Sequence, residues 1–295
     1  MMETAIEMDE LPPPAKQRIV RVTDAAWVKW GCIAITLGFI TVLLALPLVA
    51  VFYESFSKGW EVYKAGLLSA NSLRAMKMTL LISVFVVPLN TVFGIAAAWS
   101  IAKFEFRGKA LLTTIIDIPF AISPVIAGMV FVLLFGQQGL LGPWLEANDI
   151  QIVFALPGMI LATCFVTFPF VARELIPLMQ EQGTQEEQAA ISLGASGLQT
   201  FWRVTAPNIK WGFLYGIILC NARAMGEFGA VSVVTMNSPG ETNTVPQQIQ
   251  FLYDAPNIAG AMALSTVLAM LGLVTLVAKS LLEWKIRREQ VEGSE

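Results

Sequence analysis

Histidine is absent from all 295 residues. That excludes Ser-His-Asp catalysis, a histidine proton relay and imidazole metal ligation within the chain. Cysteine is scarce: Cys32, Cys164 and Cys220 stand singly in different apolar stretches, with no CxxC pair. Neither a disulfide framework nor a zinc site is supported, and each thiol reads as a small buried hydrophobe. No GxxxxGK[ST] occurs, and Gly194-Ala-Ser-Gly197 lacks both the lysine and the preceding strand of a phosphate cradle. If ATP drives anything here, the ATPase is another polypeptide. Paired carboxylates at catalytic spacing are also missing, so the chain does not read as an enzyme.

What the sequence has in excess is apolar length. Hydrophobic residues make up 56% and charged residues only 14%, and the mean hydropathy is +0.65, well outside the range of ordinary soluble domains. Six stretches reach spanning length, near Gly31–Phe52, Met78–Ile101, Ala110–Phe135, Ile150–Ala172, Trp211–Met236 and Ile258–Leu282. Each exceeds the roughly 20 residues that a helix needs to cross the hydrocarbon core. Pro47, Pro88, Pro119, Pro124, Pro157 and Pro169 fall inside them and predict kinks rather than breaks, because neighbouring helices satisfy the freed backbone groups. The expected fold class is therefore an all-α integral membrane protein of about six transmembrane helices.

Basic residues set the expected orientation. Fourteen of the nineteen lie in the two termini, the second-to-third loop (Lys103, Arg107, Lys109) and the fourth-to-fifth loop (Arg173, Arg203, Lys210). Opposite them stand only Lys58, Lys64, Arg74 and Lys77. The positive-inside rule places both termini in the cytoplasm. The domain layout follows: a flexible cytoplasmic tail over 1–26, which has no signal-peptide pattern, a transmembrane domain over 27–288, and a short tail over 289–295. Trp60 to Lys77 suits an interfacial helix or a plain loop.

One polar interruption, Thr184 to Pro207 within the loop 181–210, breaks the apolar pattern. Thr184 with Glu187 predicts a capping box, Ala189, Ala190 and Leu193 favour helix, and Gly194 suits the left-handed turn that ends it. Ser196 with Gln199 repeats the start signal, and Pro207 is expected to stop a second short helix. The unit is too short to span a bilayer, so it lies at the surface and meets something there.

Three ionisable residues sit at membrane depth. Arg223 and Glu227, four apart in the fifth stretch, are expected on one helical face, and Asp117 lies ahead of Pro119 in the third. Such groups cost about 2.5–3.5 kcal/mol each at the bilayer centre on insertion scales and turn inward. One reading is structural, an intrahelical Arg223–Glu227 pair with Asp117 answering some cation. The other has them lining or gating an anion pathway.

Gln185-Glu186-Glu187-Gln188-Ala189-Ala190 through Gly194-Ala195-Ser196, with Val204-Thr-Ala-Pro207, resembles the EAA motif of ABC importer permeases. Gln188 stands where that pattern has glutamate, and Val204 and Ala206 also depart from it. Asn221 to Ser232 resembles the fifth-span signature of oxyanion importers for sulfate, thiosulfate and molybdate, and Asp117 to Gly128 resembles their third-span signature. Ser123-Pro-Val and Gly240 to Ile249 look most like the W-type permease subunits of sulfate/thiosulfate importers.

The resemblance implies a type I ABC importer permease fold with a cytoplasmic coupling helix. It implies a sister permease forming a heterodimer, two copies of a cytoplasmic ABC ATPase that hold the ATP and Mg, and an extracytoplasmic sulfate/thiosulfate-binding protein. This chain would bind no cofactor, metal or nucleic acid and would sit among lipid in a bacterial inner membrane or its plastid counterpart. The alternatives are a molybdate-type permease and an ion-coupled secondary transporter using Asp117, Arg223 and Glu227, which inverted repeats would favour; no convincing repeat is evident.

Overall fold

Every regular element among the described residues is helical. A computed structural model of the chain describes residues 26–235 and 242–292. The expected N-terminal tail falls outside them but for Ala26, as do the Gly240-Glu241 pair of the outer loop and the last three residues.

Two compact units divide at Pro47. In the first, α1 (Ala26–Ile40) leads into a π-helical turn, Thr41–Ala45. Trp27, Ile35 and Phe39 are exposed on it, a surface that lipid, as apolar as leucine, covers without penalty.

The second unit begins within α2 (Leu46–Ser57) and continues with α3 (Trp60–Leu68), α4 (Ala70–Lys103), α5 (Lys109–Ala121), α6 (Pro124–Phe135) and α7 (Gly142–Ala147). Then come α8 (Leu156–Glu181), α9 (Gln185–Ser192), α10 (Gly197–Thr200), a second π-helical turn (Phe201–Thr205), α11 (Ala206–Met225), α12 (Gly229–Thr235), α13 (Val245–Asp254) and α14 (Ile258–Glu292). Four helical runs are long and apolar enough to cross a membrane: Trp27–Ser57, Ala70–Lys103, Leu156–Glu181 and Ile258–Lys285. Two further candidates are bent pairs, α5 with α6 at 108° and Gly197–Met225 with α12 at 46°. Counting each pair once gives the six expected crossings.

The third crossing is thus broken, where the sequence predicted a kink at Pro124. Proline drives its predecessor out of the α region, and Ser123 duly sits at φ −58°, ψ 135°, with Ile122 also extended. Pro124 starts α6 and Pro157 lies in the first turn of α8, where a missing N–H costs nothing. Pro88, Pro119 and Pro169 remain inside helices. The plain-loop alternative for Trp60 to Lys77 gives way to α3, tied to α14 by a 3.0 Å hydrogen bond between the Tyr63 and Thr266 hydroxyls.

The core lies where α4, α8 and α11 meet, around Ala98, Val171, Leu175, Met179, Ile209 and Cys220. Within it Asn90, fully buried, donates to the Cys164 carbonyl at 3.2 Å and the Thr167 hydroxyl at 2.7 Å. The Cys164 thiol reaches Asn90 Oδ1 at 2.7 Å, and Cys220 Sγ lies 3.8 Å from Asn90 Nδ2. Two of the three cysteines therefore share one polar knot, because a buried amide must be satisfied by whatever faces it. Cys32 is exposed and Cys164 half-buried, so only Cys220 is buried as expected of all three. Elsewhere α6 and α12 touch through Gly128: a Cβ there would meet the Ala230 carbonyl at 2.6 Å. Only glycine allows the two half-helices to approach so closely.

Candidate functional site

The polar unit between the fourth and fifth crossings is built from both of its ends. α8 stops at Glu181, and α9 starts after Thr184. The capping box expected of Thr184 and Glu187 does not form. The Thr184 side chain caps no backbone N–H and instead accepts a 3.0 Å bond from Gln188 Nε2. Glu187 turns inward, its Oε1 2.7 Å from Lys103 Nζ and 3.2 Å from the Thr205 hydroxyl that donates to it. An ammonium in a nearly enclosed position outcompetes a neutral backbone N–H. Glu186 accepts from Asn208 Nδ2. Gln188 and Ala189 are exposed and Ala190 is half-buried.

The end of α9 follows the sequence. Gly194 takes φ +90°, its N–H bonds the Ile191 carbonyl at 2.9 Å, and Ala195 N–H reaches back to the Ala190 carbonyl at 3.0 Å. This is the Schellman arrangement, which favours a residue without a Cβ at the left-handed position. Ser196 and Gln199 form the second capping box: Ser196 Oγ accepts from Gln199 N–H at 3.3 Å, and Gln199 Oε1 accepts from Ser196 N–H at 2.9 Å. Pro207 does not end this helix. It occupies the first turn of α11, and helix runs on from Gly197 to Met225. The π turn before it, closed by Ala206 N–H on the Phe201 carbonyl, takes up the extra residue and lets proline come next without a lost bond in mid-helix. The result is one short helix, α9, beside the stalk of the fifth crossing. Ile191, Leu193, Leu198 and Trp202 are 57%, 90%, 70% and 66% exposed, an apolar surface on an otherwise polar unit, and such surfaces mark sites of association.

The residues at membrane depth form two separate pairs. Asp117 on α5 accepts a 2.8 Å bond from Arg173 Nε on α8, and the Arg173 guanidinium lies 4.7 Å from the centre of the Phe120 ring. Arg173, placed by its position in sequence among the loop cations, thus lies on α8, which runs on to Glu181. Arg223 Nη1 pairs with Glu227 Oε2 at 2.6 Å, though not on one helical face as expected. α11 ends at Met225, and Glu227 lies in the break before α12. Its Oε1 accepts the Ala230 N–H at 2.9 Å, so the carboxylate both neutralises Arg223 and caps α12. Sequence reasoning passed over Lys103, counted only as a topological charge, and over Asn90; the spacing of neither to any motif betrays its partners. Among the described residues no group of three or more His, Cys, Asp and Glu side chains is gathered as a metal would need.

The family described as the binding-protein-dependent transport system inner membrane component matches residues 90–288. The chain belongs to this family. This inner membrane component is 47% identical over 264 residues to the sulfate transport system permease protein CysW of Escherichia coli (strain K12), covering 90% of this chain and 91% of that one. It is 49% identical over 256 residues to the CysW protein of Synechocystis sp. (strain PCC 6803), covering 87% and 93%. Among solved structures, a chain of the bacterial alginate ABC transporter in complex with an alginate pentasaccharide-bound periplasmic protein superposes with a TM-score of 0.74. It shares 17% identity with this chain and covers 88% of this chain and 95% of its own. The fold is that of an ABC importer permease.

Proposed function

We propose that this inner membrane component is one of two related permease subunits of an ATP-driven importer of sulfate and thiosulfate. The near-full-length 47% identity to a sulfate permease carries this reading. In it, α9 is the coupling helix that docks on a cytoplasmic ABC ATPase, present in two copies that bind the ATP and Mg. A sister permease encloses the other half of the path, and an extracytoplasmic binding protein delivers the anion. Both termini and α9 face the cytoplasm, a placement that the distribution of basic residues supports. The exposed Ile191, Leu193, Leu198 and Trp202 supply the apolar contact that docking needs. The pairing of Arg173 with Asp117 and of Arg223 with Glu227 supports a path that passes an oxyanion without trapping it, leaving selection to the binding protein.

Reconstitution with the sister permease, ATPase and binding protein tests the assignment. Sulfate and thiosulfate should each enter liposomes only with ATP, and molybdate should enter at least tenfold more slowly. Molybdate uptake exceeding sulfate uptake would assign the chain to the molybdate-type importers. For orientation, single cysteines in place of Gln185 and Asn148, in a chain freed of its native cysteines, should react from opposite sides. Both positions are exposed. Reaction of Gln185→Cys with an impermeant reagent added outside cells would reverse the topology.

A further inference from the structure

α9 has no buried residue. With no fully buried side chain of its own, α9 leans on polar anchors for its hold on the bundle. Those anchors converge on Lys103, in the last turn of α4. Its side chain is only 5% exposed, and its ammonium donates to the Gly183 carbonyl and lies 2.7 Å from Glu187 Oε1. It therefore brackets the turn between α8 and α9, gripping the residue before Thr184 and a carboxylate in the first turn of α9. Glu187, 14% exposed, passes the contact on to Thr205 in the π turn that leads into α11. Beside it, Gln182 Nε2 donates to the Asn208 carbonyl at 2.9 Å while the Asn208 side chain donates to Glu186. An ammonium taken so far out of water is costly unless both charge and hydrogen bonds are answered, and here they are.

We propose that Lys103 is the positioning residue that fastens the coupling helix to the bundle, so that movement of α9 on the ATPase is carried into α4 and α11 together. This rests on the assignment of α9 as the coupling helix. Among the described elements, α4 packs along α8 more extensively than any other pair. A small displacement at α9 thus reaches α4 through Lys103, and α11 through Thr205 and Asn208. Lysine suits this position because its long stem carries the ammonium to a nearly enclosed point where it meets two acceptors.

The test uses the purified, assembled importer in liposomes and reads the ratio of ATP hydrolysis with and without anion-loaded binding protein. Lys103→Met, which keeps the stem and removes the charge, should lower that ratio at least tenfold, with uptake falling in parallel. Lys103→Arg should stay within threefold of the parent. Lys103→Glu and Glu187→Lys should each uncouple, and the two together should recover to within about fivefold, because the reversed pair restores the ion link. A parental ratio in Lys103→Met overturns the proposal. So does a doubly reversed complex no better coupled than either single variant, including one that fails to assemble. If Lys103→Met itself does not assemble, the reversed pair decides alone. A parental complex without any stimulation would refute the coupling-helix assignment, a result distinct from unaltered stimulation in the variants.

Discussion

Two ion pairs of almost equal length do opposite things in this molecule. Arg223–Glu227, at 2.6 Å, joins residues four apart across a break in one crossing. Lys103–Glu187, at 2.7 Å, joins the end of one spanning helix to a surface helix far along the chain. The first is local and holds a bent backbone in shape. Glu227, only 1% exposed, answers Arg223 with one oxygen and the Ala230 N–H of α12 with the other. The second is long-range and lies between elements, bracketing the turn that leads into α9 rather than a break within one crossing. What it fixes is their relation. A buried charge pair near a break should therefore register mainly in assembly, and one between elements mainly in coupling.

The largest expected effect is on Glu227. Removing one partner of a buried pair typically costs about 3–5 kcal/mol, and Glu227→Ala also strips the cap from α12. Most of the assembled complex should be lost, as size-exclusion yield and thermal unfolding in detergent would show. Arg223→Ala should lower the yield as well, because it leaves the Glu227 carboxylate, 1% exposed, without its cation, although the cap survives. The double variant should recover part of the loss but not the cap, and Glu227→Gln should rank between the parent and Glu227→Ala. Normal assembly of both single alanine variants, with uptake lost only for Arg223→Ala, would instead make Arg223 a guide for the anion.

An intermediate effect is expected at Gly194. Its φ of +90° costs a residue with a Cβ about 1–2 kcal/mol, yet a Cβ there meets nothing within 4 Å. Gly194→Asp should therefore insert and assemble while distorting the exit of α9 and charging the surface beside Leu193. Stimulated ATP hydrolysis should fall severalfold or more with the yield of complex unchanged. Full stimulation would remove this turn from the docking surface.

How legible these features were in the sequence depends on their range. The crossings were readable because length and apolarity suffice to define them, and the Gly194 and Ser196 signals were readable because caps are made within a few residues. Pro124 and Pro207 misled for the same reason in opposite senses. A proline in an apolar stretch is equally compatible with a kink, a break or a first turn. The outcome, a 108° bend beside Pro124 and a π turn ahead of Pro207, is set by neighbouring helices. Thr184 lost its capping box to a competitor that no local pattern contains, the ammonium of Lys103. Arg173 and Asp117 met across two helices in the same way. Long-range pairs were the part that could not be read.

The smallest expected effect isolates the far end of the long-range pair. Thr205 is fully buried in the π turn, and its hydroxyl donates to Glu187 at 3.2 Å. Thr205→Val keeps the shape and removes that bond, a loss of about 0.5–1.5 kcal/mol for a single hydrogen bond. Glu187 would keep Lys103, so α9 would stay fastened to α4 while its tie to the start of α11 weakens. Assembly and thermal unfolding should be close to parental, and anion-stimulated ATP hydrolysis should fall about two- to fivefold, well short of the Lys103→Met loss. Equal losses for the two variants would mean that the route through α11 matters as much as the route through α4. No loss in Thr205→Val would confine the Glu187 link to α4 and leave the fifth crossing to the Asn208–Glu186 bond and to packing.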